Sequence, residues 1–168
     1  MIWKETKLDI LKSRVNYYVK NKQLYSVKKG IYTKDRDYNE FELATKIYKP
    51  SYISLETVLQ LEGIVFQNHL SVYVVSYLSR GIRCDKRKII YKKIKNEILM
   101  NPKGLLKKEN YHIASKERAV LDALYLYKDY YFDNLRKIDW DKCFDLLTIY
   151  GNKKLGQRLE GLYKENAK

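Results

Sequence analysis

Residues 116–129, KERAVLDALYLYKD, constrain the fold more than any other segment, because their pattern is that of a helix with apolar residues on most sides. Ser115 precedes the segment and is a favourable N-cap residue. A surface helix carries a single apolar stripe, whereas a helix that is apolar almost all round is usually a central element of a core. The sequence therefore predicts a helix in the middle of the protein, enclosed by other elements.

Two segments on the N-terminal side of this helix predict strands. LSVYVVSYLS, residues 70–79, is apolar enough to be a central strand of a sheet, and KIIYKKIK, residues 88–95, predicts a second strand. RGIRCDKRK, which starts at Arg80, is predicted to be a charged connection between them. Together with the helices, these strands predict an α+β fold. The further helices are expected over residues 39–47, after an N-cap at Ser54, after an N-cap at Asp139 and after Asn152.

A basic helix is predicted over residues 4–23. Its apolar stripe recurs at intervals of three and four and consists of Leu8, Leu11, Val15, Tyr18 and Val19. Another side of the helix is polar and carries Lys12, Ser13, Asn16, Tyr17 and Lys20.

A basic ribbon is predicted to follow this helix. Residues 24–33 alternate between apolar and polar positions and are interrupted by Gly30, which predicts two short strands with Lys28 and Lys29 at the turn. A helix followed by such a ribbon looks like the reading helix and wing of a winged helix-turn-helix. Only fourteen residues precede VNYYVKNKQLYSVKKGIY, the stretch from residue 15 to residue 32 that carries this pattern.

The net charge of +14 is concentrated in two blocks. Residues 1–36 carry ten Lys/Arg against three acidic residues, a balance of +7, and residues 80–108 carry eleven against two, a balance of +9. Such blocks indicate a polyanionic partner, since neutralised phosphates supply most of the non-specific affinity for nucleic acid. An AT-rich genome would also produce the observed 26 lysines against 8 arginines without any function, so this alternative stays open. The second block contains a basic patch of Arg80, Arg83, Lys86, Arg87, Lys88, Lys92 and Lys93.

No pattern in the sequence indicates an enzyme, a metal site or a cofactor site. His69 and His112 are 43 positions apart and lack metal-ligand spacing, and no glycine-rich phosphate loop occurs. Cys84 and Cys143 have no CxxC partner, which favours a reducing cytoplasm. There is neither a signal peptide nor an apolar run of about 18 residues. We therefore expect a cytoplasmic, non-enzymatic protein without a cofactor.

Two carboxylates lie on the predicted central helix. Glu117 stands in its first turn, where an anion complements the helix dipole. Asp122 interrupts the apolar pattern, so it either faces solvent through a gap or pairs with a buried Arg or Lys. Such a pair would matter for the shape of the protein more than for catalysis.

Three stretches, taken together, resemble the AbiEi-type antitoxins of bacterial abortive-infection and type IV toxin–antitoxin systems. LYSVKKGIYTK is similar to the wing of the family's N-terminal winged helix, and ELATKIYKPSYISLETVLQLEGIV is similar to the start of its C-terminal half. HIASKERAVLDALYL resembles the family's "IAs.EkAllDlly" helix. The three stretches occur in the expected order over about residues 15–130.

The resemblance implies a two-part protein, with a partial winged helix over residues 1–36 and an antitoxin domain over residues 37–168. It implies that the first part binds inverted repeats in its own promoter and represses the operon. The second part would antagonise a nucleotidyltransferase-like toxin, often without a stable complex. Carried over by position, the groove-facing residues would be Lys12, Ser13, Asn16, Tyr17 and Lys20, with Lys28 and Lys29 at the DNA backbone or minor groove.

The sequence departs from the family pattern at its start. A complete winged helix has two more helices before the reading helix, and fourteen residues do not supply them. We expect either a start further upstream or a shortened winged helix, in which Leu8, Leu11 and Val15 must find other packing partners. Two alternatives follow: a protein-interaction antitoxin that has lost sequence-specific DNA binding, and an enzyme that depends on Glu117 or Asp122.

Overall fold

A computed structural model describes residues 7–68, 70–84 and 87–166 of the chain. Over these residues the fold is mixed α+β, as predicted, with helices and strands in two sheets. The elements in chain order are α1 (Leu8–Lys20), β1 (Tyr25–Lys28), β2 (Ile31–Thr33), α2 (Glu40–Ile47), β3 (Ser51–Ile53), α3 (Glu56–Leu61), β4 (Ser71–Ser76), β5 (Arg80–Cys84), β6 (Arg87–Lys93), α4 (Asn96–Leu99), β7 (Leu105–Lys107), β8 (His112–Ala114), α5 (Lys116–Leu126), α6 (Trp140–Leu147) and α7 (Lys153–Asn166).

The larger sheet has six strands in the order β5-β6-β4-β3-β8-β7. β4 is parallel to β6, and β3 is parallel to β8, while the other neighbours are antiparallel. The prediction of a central strand over residues 70–79 is confirmed, because β4 lies between β6 and β3. β1 and β2 form a separate antiparallel hairpin.

The predicted charged connection after residue 79 is wrong, because its first part forms the edge strand β5. β5 pairs with β6 along its whole length, from Arg80 opposite Tyr91 to Cys84 opposite Arg87. Ile82 and Cys84 are buried while the residues between them are exposed, which is the alternation of a strand with one covered face. Only one residue of RGIRC is β-branched, so the strand signal in this segment is weak.

Helices cover the two faces of the sheet. On one face, the Tyr91 hydroxyl of β6 donates a hydrogen bond of 2.7 Å to the Ala44 carbonyl of α2. On the other face, Tyr52 and Ser54 reach the Asp122 carboxylate of α5. Every residue of α5 from Glu117 to Leu124 is buried. The prediction of a central helix is therefore confirmed.

Most of the predicted helix caps are confirmed, but one is wrong. Ser115 accepts from the Arg118 amide at the start of α5, and Asp139 accepts from the Lys142 amide at the start of α6. The N-cap of α3 is Leu55 and not Ser54, since the Ser54 side chain is bonded to Asp122 instead. Leu55 adopts φ 56° and ψ −141°, a backbone conformation that is strained for a side chain with a Cβ and is held by complete burial.

The N-terminal helix α1 is poorly buried, whereas the hairpin that follows it is anchored in the core. α1 has no buried residue, and Leu8 of its predicted apolar stripe is 68% exposed. Leu11 and Val15 are half-buried. The hairpin is better anchored, because Val27 is buried in the core and β1 packs against β5. None of the helices within the described ranges has the length and the apolar composition needed to cross a membrane.

Candidate nucleic-acid interface

The polar side of α1 is open to solvent along its length. The five residues that the sequence places on this side are all exposed, namely Lys12, Ser13, Asn16, Tyr17 and Lys20. Lys12 makes an ion pair of 3.6 Å with Asp9, and both side chains are exposed. An exposed pair of this kind contributes little and is easily exchanged for a phosphate. The helix therefore presents a continuous polar surface to any partner.

The hairpin turn presents two further cations. Lys28 is half-buried and Lys29 is exposed, and the register shifts by a bulge between Ser26 and Lys28. Gly30 has φ +83°, a conformation that glycine adopts without a steric penalty and that the turn requires. The turn therefore holds both lysines next to each other at the end of β1.

The structure brings the two basic blocks of the sequence together at the contact between β1 and β5. Burial raises the pKa of the Cys84 thiol, and the nearby positive charge of Lys28 partly offsets this effect. Lys28 and Cys84 are 56 positions apart in the chain. The hairpin thus lies against the edge strand β5, a contact between distant segments that the sequence did not predict.

The basic patch of residues 80–93 is divided by the pleat of the sheet, because residues two apart on a strand share a face. Arg80, Arg87 and Lys93 lie on the face covered by α2 and the hairpin. Arg83 is directly opposite Lys88, and both lie with Lys92 on the other face. Lys86 lies outside the described residues. The predicted patch is therefore two surfaces and not one.

Two members of the patch also make contacts within the protein. The Arg87 Nε lies 3.0 Å from a carboxylate oxygen of Glu40 on α2, so this arginine ties β6 to α2. The Lys92 Nζ lies 5.1 Å from the centre of the Tyr127 ring, within cation–π distance. Arg87 therefore contacts α2, and Lys92 lies beside the C-terminal end of α5.

A cleft of about 720 Å³ lies between the hairpin and α2. Its charged lining residues are Lys34, Asp35, Asp37, Glu42 and Lys46, and Glu42 is paired with Lys46. Charges of both signs are mixed here, so the cleft offers no concentrated field to a polyanion.

The two carboxylates of α5 belong to the buried core. Asp122 has no exposed surface and accepts hydrogen bonds from Tyr150 at 2.7 Å, from Ser54 at 2.8 Å and from Tyr52 at 3.1 Å. Burial raises the pKa of the Asp122 carboxyl, and the Arg118 charge and the three hydroxyl hydrogen bonds oppose this effect. Glu117 is also buried, in the first turn as predicted. The Asp122 carboxylate therefore stabilises the core by joining three hydroxyl groups from different elements.

Arg118 completes this network as a buried cation, which is the second of the two alternatives that the sequence left open for Asp122. It is fully buried and donates to the Ile98 carbonyl at 2.7 Å, to the Asn101 carbonyl at 3.1 Å and to the Lys103 carbonyl. It also donates to the Tyr52 hydroxyl at 3.3 Å, which in turn donates to Asp122. The charges are thus linked through a tyrosine. Their spacing of four residues on one helix was the signal that could have identified the partner.

No group of three or more His, Cys, Asp or Glu side chains in residues 7–68, 70–84 and 87–166 is arranged to hold a metal ion. His69 lies outside the described residues, and His112 is exposed on β8.

A comparison with protein-family models finds no match for this chain, and a comparison with curated proteins finds none either.

Proposed function

We propose that this protein is an antitoxin that binds DNA through α1 and the β1–β2 hairpin. The observation that carries the DNA-binding part is the exposed polar side of α1, which is followed by a hairpin with two lysines at its turn. In this proposal α1 is the reading helix and the hairpin is the wing of a winged helix.

The proposed contacts follow from the chemistry of the side chains. An α-helix fits the major groove, where an Asn side chain pairs with an adenine edge through two hydrogen bonds, and we propose this role for the exposed Asn16. Lys12 and Lys20 flank Asn16 on the same side of α1 and would neutralise phosphates. Lys28 and Lys29 would contact the backbone or the minor groove beside the helix.

The antitoxin part of the proposal rests on the resemblance of residues 42–65 and 112–126. In the fold these two stretches are neighbours, since β3 pairs with β8 and α3 packs against α5. Tyr52 and Ser54 of the first stretch bond to Asp122 of the second. The resembling residues therefore form one core unit, and we propose that this unit antagonises a nucleotidyltransferase-like toxin.

A second candidate is an antitoxin that acts through protein contacts and no longer reads DNA. The exposure of Leu8 and the partial exposure of Leu11 and Val15 favour it, because a reading helix is normally fixed by packing its apolar stripe on other helices. A helix without that support loses part of the precise orientation on which base readout depends.

DNA binding is tested on the promoter of the gene across a series of salt concentrations. We expect sequence-selective binding that persists near physiological salt, with a steep dependence of affinity on salt. Replacing Lys12, Lys20, Lys28 and Lys29 by alanine should lower the log–log salt slope by about 3 to 4, since each phosphate contact contributes about 0.9.

A matched control removes the same charge elsewhere by replacing Lys137, Lys153, Lys154 and Lys164, which are all exposed. It should bind as the unchanged protein does. Equal losses in both variants, or binding that ignores the DNA sequence, would contradict the regulator and favour the second candidate. The antitoxin role is tested separately, by whether the protein restores the growth of cells that express an adjacent nucleotidyltransferase gene.

A further inference from the structure

One face of the β5–β6 edge is left uncovered by helices. The residues of this open face are Gly81 and Arg83 of β5 and Lys88, Ile90 and Lys92 of β6, as the strand register and the pleat require. Arg83 and Lys88 are exposed, and Ile90 and Lys92 are half-buried. α2 and the hairpin cover the opposite face of the same strands, where Ile82, Cys84, Ile89 and Tyr91 are buried.

The open face continues onto β4 and is organised in rows across the three strands. Ser71, Lys88 and Arg83 are cross-strand neighbours and form a first row. Tyr73 and Ile90 form a second row with Gly81, and Lys92 forms a third with Val75, which is fully buried and closes the face at this end of β4. Successive rows are separated by about 7 Å along the strands. The cations of the first and third rows therefore flank a middle row that offers an aromatic ring and an isoleucine.

The surroundings of the open face add aromatic surface, with an exposed acid, Asp133, near Tyr130. Tyr73 is half-buried, and burial raises the pKa of its hydroxyl, with a further contribution from the negative charge of Glu56. Glu56 itself is buried. The Tyr127 ring lies under Lys92 and is stacked on Tyr130 at 5.3 Å between the ring centres. No Asp or Glu lies among the described residues of these three rows.

We propose that the open face binds single-stranded nucleic acid. Phosphates would lie against Arg83, Lys88 and Lys92, and an unpaired base would stack on Tyr73 in the middle row. Single strands are recognised by this combination of a basic surface that follows the backbone and side chains on which bases stack. A broad sheet face does not enter the grooves of a duplex, which admit a helix or a two-stranded ribbon. This surface is separate from α1 and the hairpin turn.

Binding is measured by fluorescence anisotropy with labelled homopolymers of thymidylate and uridylate, over a series of salt concentrations. Replacing Arg83, Lys88 and Lys92 by serine should weaken binding about tenfold or more and lower the salt slope by about 2, since each single-strand phosphate contact contributes about 0.7. The matched control replaces Arg80, Lys93 and Lys107, which are also one arginine and two lysines. They are exposed and lie off this face, so the control should bind as the unchanged protein does.

A second variant, Tyr73→Leu, separates stacking from charge. It should weaken homopolymer binding by about tenfold and leave the salt slope unchanged. The single variant Lys88→Glu, at an exposed position, gives the charge test without altering the core, and circular dichroism verifies the fold of each variant.

The results also distinguish this proposal from the binding of promoter DNA. Loss of homopolymer binding with promoter binding retained supports a separate site on the open face. Equal homopolymer binding by the open-face variant and its control would overturn the proposal. So would a larger loss of binding to duplex DNA, to heparin or to vesicles of anionic lipid than to the homopolymers when Arg83, Lys88 and Lys92 are replaced, because this result would indicate another class of ligand for the open face.

Discussion

The substitution Asp122→Ala tests the buried network that joins α5 to the sheet and to the segment around residues 98–103. The carboxylate accepts hydrogen bonds from three hydroxyls, and it compensates the buried Arg118 through Tyr52. Removing it leaves a buried positive charge and two or more hydroxyls without acceptors. Breaking a buried ionic network by removing one partner typically costs about 3–5 kcal/mol.

This cost is large compared with the stability of a domain of this size, which is about 5–15 kcal/mol. With a loss of about 4 kcal/mol and a urea m value of about 2 kcal/mol/M, the midpoint of urea unfolding should fall by about 2 M. Asp122→Asn should cost less, about 1–3 kcal/mol, because the amide oxygen still accepts hydrogen bonds while the negative charge is lost. Urea titration followed by far-ultraviolet circular dichroism measures both values.

The control for this experiment is Asp145→Ala, on the exposed side of α6. It should change the free energy of unfolding by no more than about 0.5 kcal/mol. A cost for Asp122→Ala below about 1 kcal/mol, with an unchanged m value, would refute the reasoning, because the Asp122 carboxylate would then contribute no more than a surface residue.

Two further predictions concern the tight packing around Gly104 and the dependence of stability on pH. A Cβ at Gly104, where φ is +71°, would lie 3.1 Å from a Leu146 methyl, so Gly104→Ala should lower the free energy of unfolding by about 1–3 kcal/mol in urea titration. The control is Gly161→Ala on α7, where the added Cβ meets open space. This substitution should be neutral or should stabilise the protein by up to about 1 kcal/mol. An equal effect of the two substitutions would contradict this steric argument. Burial, and next the negative charge of a neighbouring carboxylate, raise the pKa of Tyr52 and Tyr150 well above its usual value. The unfolded chain loses these protons near pH 10, whereas the folded chain retains them, so this contribution to stability is complete below about pH 10 and is lost as the pH rises above it. Ultraviolet absorbance of tyrosinate should therefore rise in two phases, the second together with unfolding, and a single phase that leaves the fold intact would contradict the expectation.

The part of the candidate interface that depends on local sequence could be predicted. The polar side of α1 and the lysines of the hairpin turn follow from helical spacing and from one glycine, and the structure leaves them at the surface. The role of this surface as a reader of DNA remains a prediction. The open face could not be anticipated, because Arg83 and Arg80 are indistinguishable in a list of basic residues. Only the pairing of β5 with β6 places them on opposite faces of the sheet.

The sequence by itself determined the central helix, the central strand and the caps at Ser115 and Asp139, because these features depend on residues within a few positions of each other. The tertiary structure decided the features that depend on distant residues. It made β5 a strand, because the backbone hydrogen bonds to β6 stabilise an extended conformation that the local sequence favours only weakly. It also made Ser54 a hydrogen-bond donor to Asp122, 68 positions away, and not the expected helix cap. A buried carboxylate needs hydrogen-bond donors, and the fold brings them from distant parts of the chain. It also decided which cations share a face, because the pleat and the covering elements arise only when the sheet is assembled.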